Sequence, residues 1–480
     1  MSILVIDVGT SGVRAAVVDD DATIRFDVRR EILPDSPLPG LVEFDATQMA
    51  TAVLDTAVEA VERAGDVTAV GIANQRASTI VWDRAAGDPV APALGWQDLR
   101  TVGDILMLQA EGLRFSPNAT ATKAAHLLDS VDPDRSRDLC VGTVDSWIVW
   151  KLSNGSLHVT DGTNAGVTEL THLGEVVWNP DICDRLRIPV TSLPTIVDSS
   201  GVVGEATALP GAPPIAGIVG DQQSSLIGQG AVLPGLAKIT FGTGGMLDVC
   251  VGPERPAFER RSDNGSFPMV AWLADATPTW GLEAVMLAAG TNVEWLRDDL
   301  GIIPDAASSH DIASSVDSAD GVVYVPAPLG LGAPTWDFGA RGTLLGLTRG
   351  TTAAHIVRAV LEGVAMRGAD LVDAAEADTG LHFESLRIDG GMSNNPTFVQ
   401  ALADAAARPV ERAREAESTT LGAAYLAGMA SGTWAGFDDV AGNWEPAETV
   451  EAAASVDRDR WAEAVDRSKG WYEDLSAITF

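Results

Sequence analysis

Asp7 closes an apolar run and opens the turn Asp7-Val8-Gly9-Thr10-Ser11-Gly12-Val13-Arg14, which gathers a carboxylate, two hydroxyls and a guanidinium. A second glycine turn, Phe241-Gly242-Thr243-Gly244-Gly245-Met246, stands about one domain further along the chain. Apolar runs flank both turns, at 3–6 and 15–18 and again at 237–240 and 247–251. Each predicts strand, tight turn, strand, because glycine lets the chain reverse without a Cβ clash. Such a turn aims main-chain N–H groups and hydroxyls at whatever lies above it, an environment that suits a polyphosphate. Two of them suggest duplicated halves facing each other across a nucleotide. A third feature is Asp221, directly after the apolar run 215–219. A carboxylate held there by a rigid strand could take a proton from a hydroxyl. Its plainer reading is a helix N-cap for the segment that starts at Gln222.

The elements that must position these groups alternate between strand and helix. A strand at 24–30 is followed by an acidic, proline-marked loop and by a helix over 46–64 capped by Asp45. Met49, Val53, Ala57 and Val61 recur every four residues there and make one apolar stripe. Short strands are expected at 67–73, 79–82 and 215–219, and Pro234-Gly235 is the natural domain boundary. In the second half, helices are expected near 284–300, 353–375, 396–406 and 419–431, and the tail from about Asn443 reads as helical. Strands and helices mixed in this way favour an α/β architecture.

At 480 residues the chain is too long for one core and calls for two domains. The net charge of −35 argues against nucleic acid or an anionic membrane as partner. No apolar run approaches the ~18 residues of a membrane span. Met1-Ser2 leads straight into a strand, without the basic region and cleavage site of a secretory leader. Cys140, Cys183 and Cys250 are scattered and odd in number, which fits a reducing cytoplasm better than a disulfide framework. Only four of the 32 basic residues are lysines: Lys123, Lys151, Lys238 and Lys469.

Further segments complete a pattern: Asn74-Gln75-Arg76, Gly95-Trp96-Gln97-Asp98, Gly142-Thr143-Val144-Asp145-Ser146-Trp147 and Gly220-Asp221-Gln222-Gln223. Beyond the second hairpin come Gly330-Leu331-Gly332-Ala333-Pro334, Gly346-Leu347-Thr348-Arg349-Gly350 and Asp389-Gly390-Gly391. In order and spacing, from residue 3 to about residue 434, the chain resembles the FGGY family of carbohydrate kinases, and within it the glycerol kinase branch. The resemblance implies two actin-like (ribonuclease H-like) α/β ATPase domains facing across a catalytic cleft. Residues 1–231 would hold the polyol and the catalytic base, and residues 232–480 the ATP. A homodimer or homotetramer is the usual assembly in the family.

Phosphoryl transfer needs in-line positioning, neutralised phosphate charge and a proton acceptor. Carried over by the resemblance, Asp221 is the general base, Asp7 holds Mg2+, and Arg14 stabilises the shifting phosphate charge. Thr10, Ser11 and Arg14 cradle phosphate, while Gly242, Thr243, Gly290, Gly391 and Asn395 take the nucleotide. Arg76, Trp96, Asp221 and Gln222 match the positions that hold the polyol, with Asn118 and Met246 lining the same pocket.

The sequence departs from the branch on both the acceptor and the nucleotide side, and His126 stands where an aromatic residue is expected. Ala77 stands for a glutamate, Asn118 for a tyrosine, Met246 for a phenylalanine, and Glu294 replaces a glutamine near the adenine. Losing the glutamate removes a charged acceptor for hydroxyls, and the two other pocket changes lower its aromatic content. Phosphorylation of glycerol to glycerol 3-phosphate is the expected reaction. A four- or five-carbon polyol or ketose is the alternative acceptor, and a non-catalytic, actin-like nucleotide-binding regulator is a further alternative.

Overall fold

A computed structural model describes residues 2–478 of the chain. Strands β1 (Ser2–Val8), β2 (Gly12–Asp19) and β3 (Ile24–Glu31) form an antiparallel meander. Helix α1 (Ala46–Ala64) follows, and Asp45 caps it by accepting N–H bonds from Thr47 and Gln48 at 2.8 and 3.0 Å. Its stripe of Met49, Val53, Ala57 and Val61 is buried against the sheet. Strand β4 (Ala69–Asn74) then pairs in parallel with β1. Strands β5 (Ser200–Glu205) and β6 (Pro214–Gly220) complete the sheet, with order β5-β6-β4-β1-β2-β3, and helix α2 (Asp221–Gly228) leaves β6 at once.

The second half repeats the plan. Strands β7 (Ala237–Phe241) and β8 (Gly245–Gly252) form its hairpin, continued antiparallel by β9 (Phe267–Ala274) and β10 (Thr277–Met286). Helix α3 (Ala353–Thr379), strand β11 (Leu386–Asp389), helix α4 (Pro396–Ala406), strand β12 (Val410–Ala413) and helix α5 (Ser418–Ser431) follow. Strand β13 (Pro446–Val450) ends the sheet, whose order is β9-β10-β8-β7-β11-β12-β13. In both sheets a glycine hairpin lies beside parallel strands, β4 and β6 in the first and β11 and β12 in the second.

The halves meet through two helices. Helix α5 packs on β1, β4 and β6, burying Leu421, Ala423, Leu426 and Ala427 with Ile3, Val5 and Val219 of the first sheet. It crosses α2 where Gly422 faces Ser224 and Gly228 faces Ser418, main chain against main chain. A methyl group at either glycine would overlap the opposing backbone, so only glycine allows this approach.

Two expectations are corrected. Residues 284–286 belong to strand β10, and helical structure begins only at Thr291, as the short turn Thr291–Glu294. The apolar run Ala284-Val285-Met286 has no alternation that separates strand from helix, and pairing with β8 decides it. The tail is not wholly helical: it contributes β13 as an edge strand before the helix Arg458–Ser468. The three cysteines are buried as free thiols, and no helix among the described residues is long and apolar enough to cross a membrane.

Candidate active site

The first hairpin brings Asp7 to the end of β1, paired in register with Arg14 on β2 and Ala73 on β4. Burial is the main cause that pushes the Asp7 carboxyl up to about 7; the charge of Asp221 adds to it, and Arg14 opposes it. Gly9 N–H closes the turn on Gly12 O at 2.9 Å, leaving Ser11 exposed. Thr10 Oγ1 accepts a bond from Trp96 Nε1 at 3.1 Å, which ties the first hairpin turn to the tryptophan expected to line the acceptor pocket.

Arg76 and Asp221 come from the ends of the neighbouring strands β4 and β6. A buried polar network fixes those ends. Asn74 and Asn164 exchange amide bonds at 2.9 and 3.0 Å, and Gly220 N–H donates to Thr163 Oγ1 at 2.8 Å. Asp161 in turn accepts from Asn164, Thr163 and Ser199. The N-cap reading of Asp221 is corrected: Gly220 occupies the cap position, and Asp221 is the first residue of α2. Its Oδ1 accepts the Gln222 N–H at 2.8 Å and lies 3.4 Å from Arg76 Nε. Burial raises this carboxyl above the usual carboxylate range, against the pull of Arg76.

The second half supplies a partner that the sequence reading missed. Glu283 on β10 accepts a bond from Arg76 Nη2 at 2.6 Å, across the two halves. Burial disfavours the Arg76 charge, but Glu283, Asp221 and Asp248 outweigh that and hold it protonated. Gln222 is met from the second sheet as well, since Lys238 Nζ donates to its Oε1 at 2.9 Å. Lys238 pairs with Asp248 at 2.7 Å. Met246 lies two residues before Asp248 on β8, hence on the same face. Asn118 is exposed, and its Nδ2 donates to Trp96 O at 3.1 Å. The buried Lys123 binds both Trp96 O and Asn118 O, at 3.0 and 2.8 Å.

Of the expected nucleotide residues, Gly242, Thr243 and Gly290 meet directly. Gly290 N–H donates to Gly242 O and Ala289 N–H to Thr243 O, each at 2.8 Å. A Cβ on Gly290 would stand 2.6 Å from Gly242 O, so the strand β10 exit closes directly on the second hairpin. Gly391 borders open space beside that hairpin. Asn395 caps α4 by accepting Phe398 N–H at 3.1 Å, and its amide donates to Ser309. Glu294 is exposed at the end of its helical turn.

Arg14 is nine-tenths buried and already engaged: its Nε lies 2.9 Å from Asp27 Oδ2, and its Nη1 is bonded to Glu417. Among the missed residues, Lys238 and Asp248 carried a visible signal, a charge inside an otherwise apolar strand. Glu283 and Glu417 carried none, since each meets its arginine only through the tertiary fold.

Two sheets that each carry a glycine hairpin beside parallel strands, joined near the strand ends by the Arg76–Glu283 bond, have the plan of an actin-like phosphotransferase. Residues 2–228 match the N-terminal domain of the FGGY family of carbohydrate kinases, and residues 237–431 match its C-terminal domain. The chain belongs to that family. It is 42% identical to a glycerol kinase of Trichlorobacter lovleyi, over 98% of this chain and 99% of the relative. The crystal structure of Plasmodium falciparum glycerol kinase with ADP superimposes with a TM-score of 0.90 at 28% identity, covering 100% of this chain and 99% of that one. A ligand-bound xylulose kinase from Lactobacillus acidophilus shares the fold, with a TM-score of 0.84 at 20% identity over 99% and 97% of the two chains.

Proposed function

We propose that the protein transfers the γ-phosphoryl group of ATP to a terminal hydroxyl of glycerol, yielding glycerol 3-phosphate and ADP in the cytoplasm. Full-length similarity to glycerol kinases supports the acceptor. The observation that carries the chemistry is Asp221, whose Oδ2 has no hydrogen-bond partner among the described residues and whose carboxyl is raised by burial. Its free oxygen takes the hydroxyl proton as the new oxygen–phosphorus bond forms and the bond to ADP breaks. Arg76 and Gln222 donate to the other acceptor oxygens, Trp96 lies against the carbon chain, and Asn118 and Met246 border the pocket. Residues 1–231 act as the acceptor domain and residues 232–480 as the nucleotide domain, with Gly242, Thr243, Gly290, Gly391 and Asn395 on the nucleotide side.

Thr10 and Ser11 face the phosphates, and Arg14 reaches them by exchanging Glu417 for phosphate oxygen. Asp7 fits a magnesium site: it is a carboxylate with no side-chain bond among the described residues, and its charge is disfavoured first by burial and then by Asp221. No cluster of three or more metal-ligating side chains lies among the described residues. That suits a magnesium ion, which takes one or two carboxylates and completes its shell with phosphate oxygens and water. When bound, the ion neutralises phosphate charge.

Ala77 favours a second reading, a longer polyol or ketose using the space a glutamate would fill. The test of the reading as a kinase is ATP turnover with and without acceptor. Turnover that requires the acceptor and forms glycerol 3-phosphate supports it, and ATP hydrolysis at full rate without acceptor overturns it.

A further inference from the structure

Beneath the acceptor-facing side chains lies a buried charged pair that the transfer chemistry does not use. Lys238 on β7 and Asp248 on β8 stand opposite each other in register, both side chains fully buried, with Nζ and Oδ2 2.7 Å apart. Their strand neighbours Ile239, Phe241, Leu247 and Val249 are all core. As a staple between two strands such a pair is a poor choice, because apolar side chains of similar volume hold a sheet at least as well. Its placement points elsewhere.

The Lys238 ammonium has three N–H groups and three partners: Asp248, Thr240 Oγ1 at 2.8 Å and Gln222 Oε1 at 2.9 Å. An ammonium only donates, so it can meet the Gln222 amide only at its oxygen. The Gln222 NH2 group is thereby turned away from Lys238. It has no hydrogen-bond partner among the described residues and sits beside Asp221 on a half-buried side chain. Asp248 faces the ammonium from behind as its ion partner, and both of its carboxylate oxygens are buried without a hydrogen bond. It also faces Glu283 in register on β10, the residue that holds Arg76.

We propose that Lys238 and Asp248 are positioning residues that lock Gln222 with its NH2 toward the acceptor, so that this side chain reads an acceptor oxygen as a donor only. The proposal rests on the reading of Arg76, Asp221 and Gln222 as the acceptor pocket. It adds that the Gln222 amide has a fixed orientation, set from the opposite half of the molecule.

The test is steady-state kinetics on the full chain, with whichever acceptor the unsubstituted enzyme uses best. A preference for another acceptor would therefore overturn the glycerol reading without affecting this comparison. Gln222→Glu keeps an oxygen for Lys238 but has no N–H to present. It is expected to raise the acceptor KM about tenfold, the loss of one pocket hydrogen bond, with the ATP KM unchanged. Lys238→Met/Asp248→Leu replaces the pair by apolar side chains and is expected to raise the acceptor KM similarly at near-parental thermal stability. Adding Gln222→Met to that double variant is expected to give no further rise. An unchanged acceptor KM in Gln222→Glu overturns the proposal, as does a triple variant whose rise is the product of the separate ones. Should the double variant fail to fold, Gln222→Glu alone decides, since it retains the buried pair.

Discussion

Arg76 and Asp221 stand side by side without a short bond: Nε and Oδ1 are 3.4 Å apart, while the same guanidinium donates to Glu283 at 2.6 Å. Arg76 thus spends its best hydrogen bond on the opposite half of the molecule, and Asp221 keeps a carboxylate oxygen available for a hydroxyl. A base locked in a bidentate pair with Arg76 would have neither a free oxygen nor a raised pKa.

Asp221→Asn removes the proton acceptor and keeps the side-chain shape. The expected result is a kcat lower by about 10²–10⁴-fold, the usual contribution of a positioned base, with ATP binding retained. Nucleotide binding by calorimetry and single-turnover transfer measure the two separately. Unchanged transfer would exclude Asp221 as the base.

The pH profile follows from the same carboxyl. A base is active when deprotonated, and burial raises Asp221 above the usual range. Hence kcat/KM, which follows the free enzyme's titration, falls as the pH drops, with an acid limb above the ~3.9 of a free aspartate. Glu283 contributes to the upward shift, and Arg76 opposes it. Glu283→Gln removes the first and releases Arg76 toward Asp221, so the acid limb should move to lower pH. A limb that moves up or stays fixed would contradict this electrostatic arrangement.

Ala77 is buried directly after Arg76, and its side chain has no hydrogen-bond acceptor. Ala77→Glu supplies a charged one. It is expected to raise kcat/KM for glycerol about tenfold, the worth of one charge-assisted hydrogen bond. Unchanged glycerol kinetics would mean that position 77 does not face the acceptor.

Lys123 orders the loop that carries Trp96 and Asn118, and burial pushes its ammonium down from 10.5 to about 7. The fold therefore favours the neutral amine relative to the unfolded chain. Stability from this group is greatest above pH 10.5 and declines as the pH falls to about 7, where the folded amine also becomes charged. Lys123→Met should flatten that part of the stability profile while raising the acceptor KM, because two main-chain carbonyls lose their donor. Denaturation midpoints across this pH window, measured with and without the substitution, check the sign.

Local features of the sequence foretold the local features of the fold. Asp45 and a four-residue stripe marked α1, and glycines between apolar runs marked both hairpins, because caps and turns are settled by near neighbours. Strand β10 was not legible, since nothing in Ala284-Val285-Met286 distinguishes strand from helix until β8 lies beside it. The placement of the candidate carboxylates was legible where one strand end carries its own functional group, as with Asp7 and Asp221. It was hidden where partners lie far apart, as in the Arg14–Glu417 pair, separated by 403 positions, and the Arg76–Glu283 bond between the halves.

The measurement that bears most directly on the account is kcat/KM for ATP-dependent phosphorylation across glycerol, dihydroxyacetone, erythritol, erythrulose, ribitol, xylitol, xylulose and ribulose. The account predicts the highest value for glycerol, with glycerol 3-phosphate as product. A clear preference for a four- or five-carbon acceptor would contradict it, and would make Ala77, Asn118 and Met246 the determinants of a different specificity.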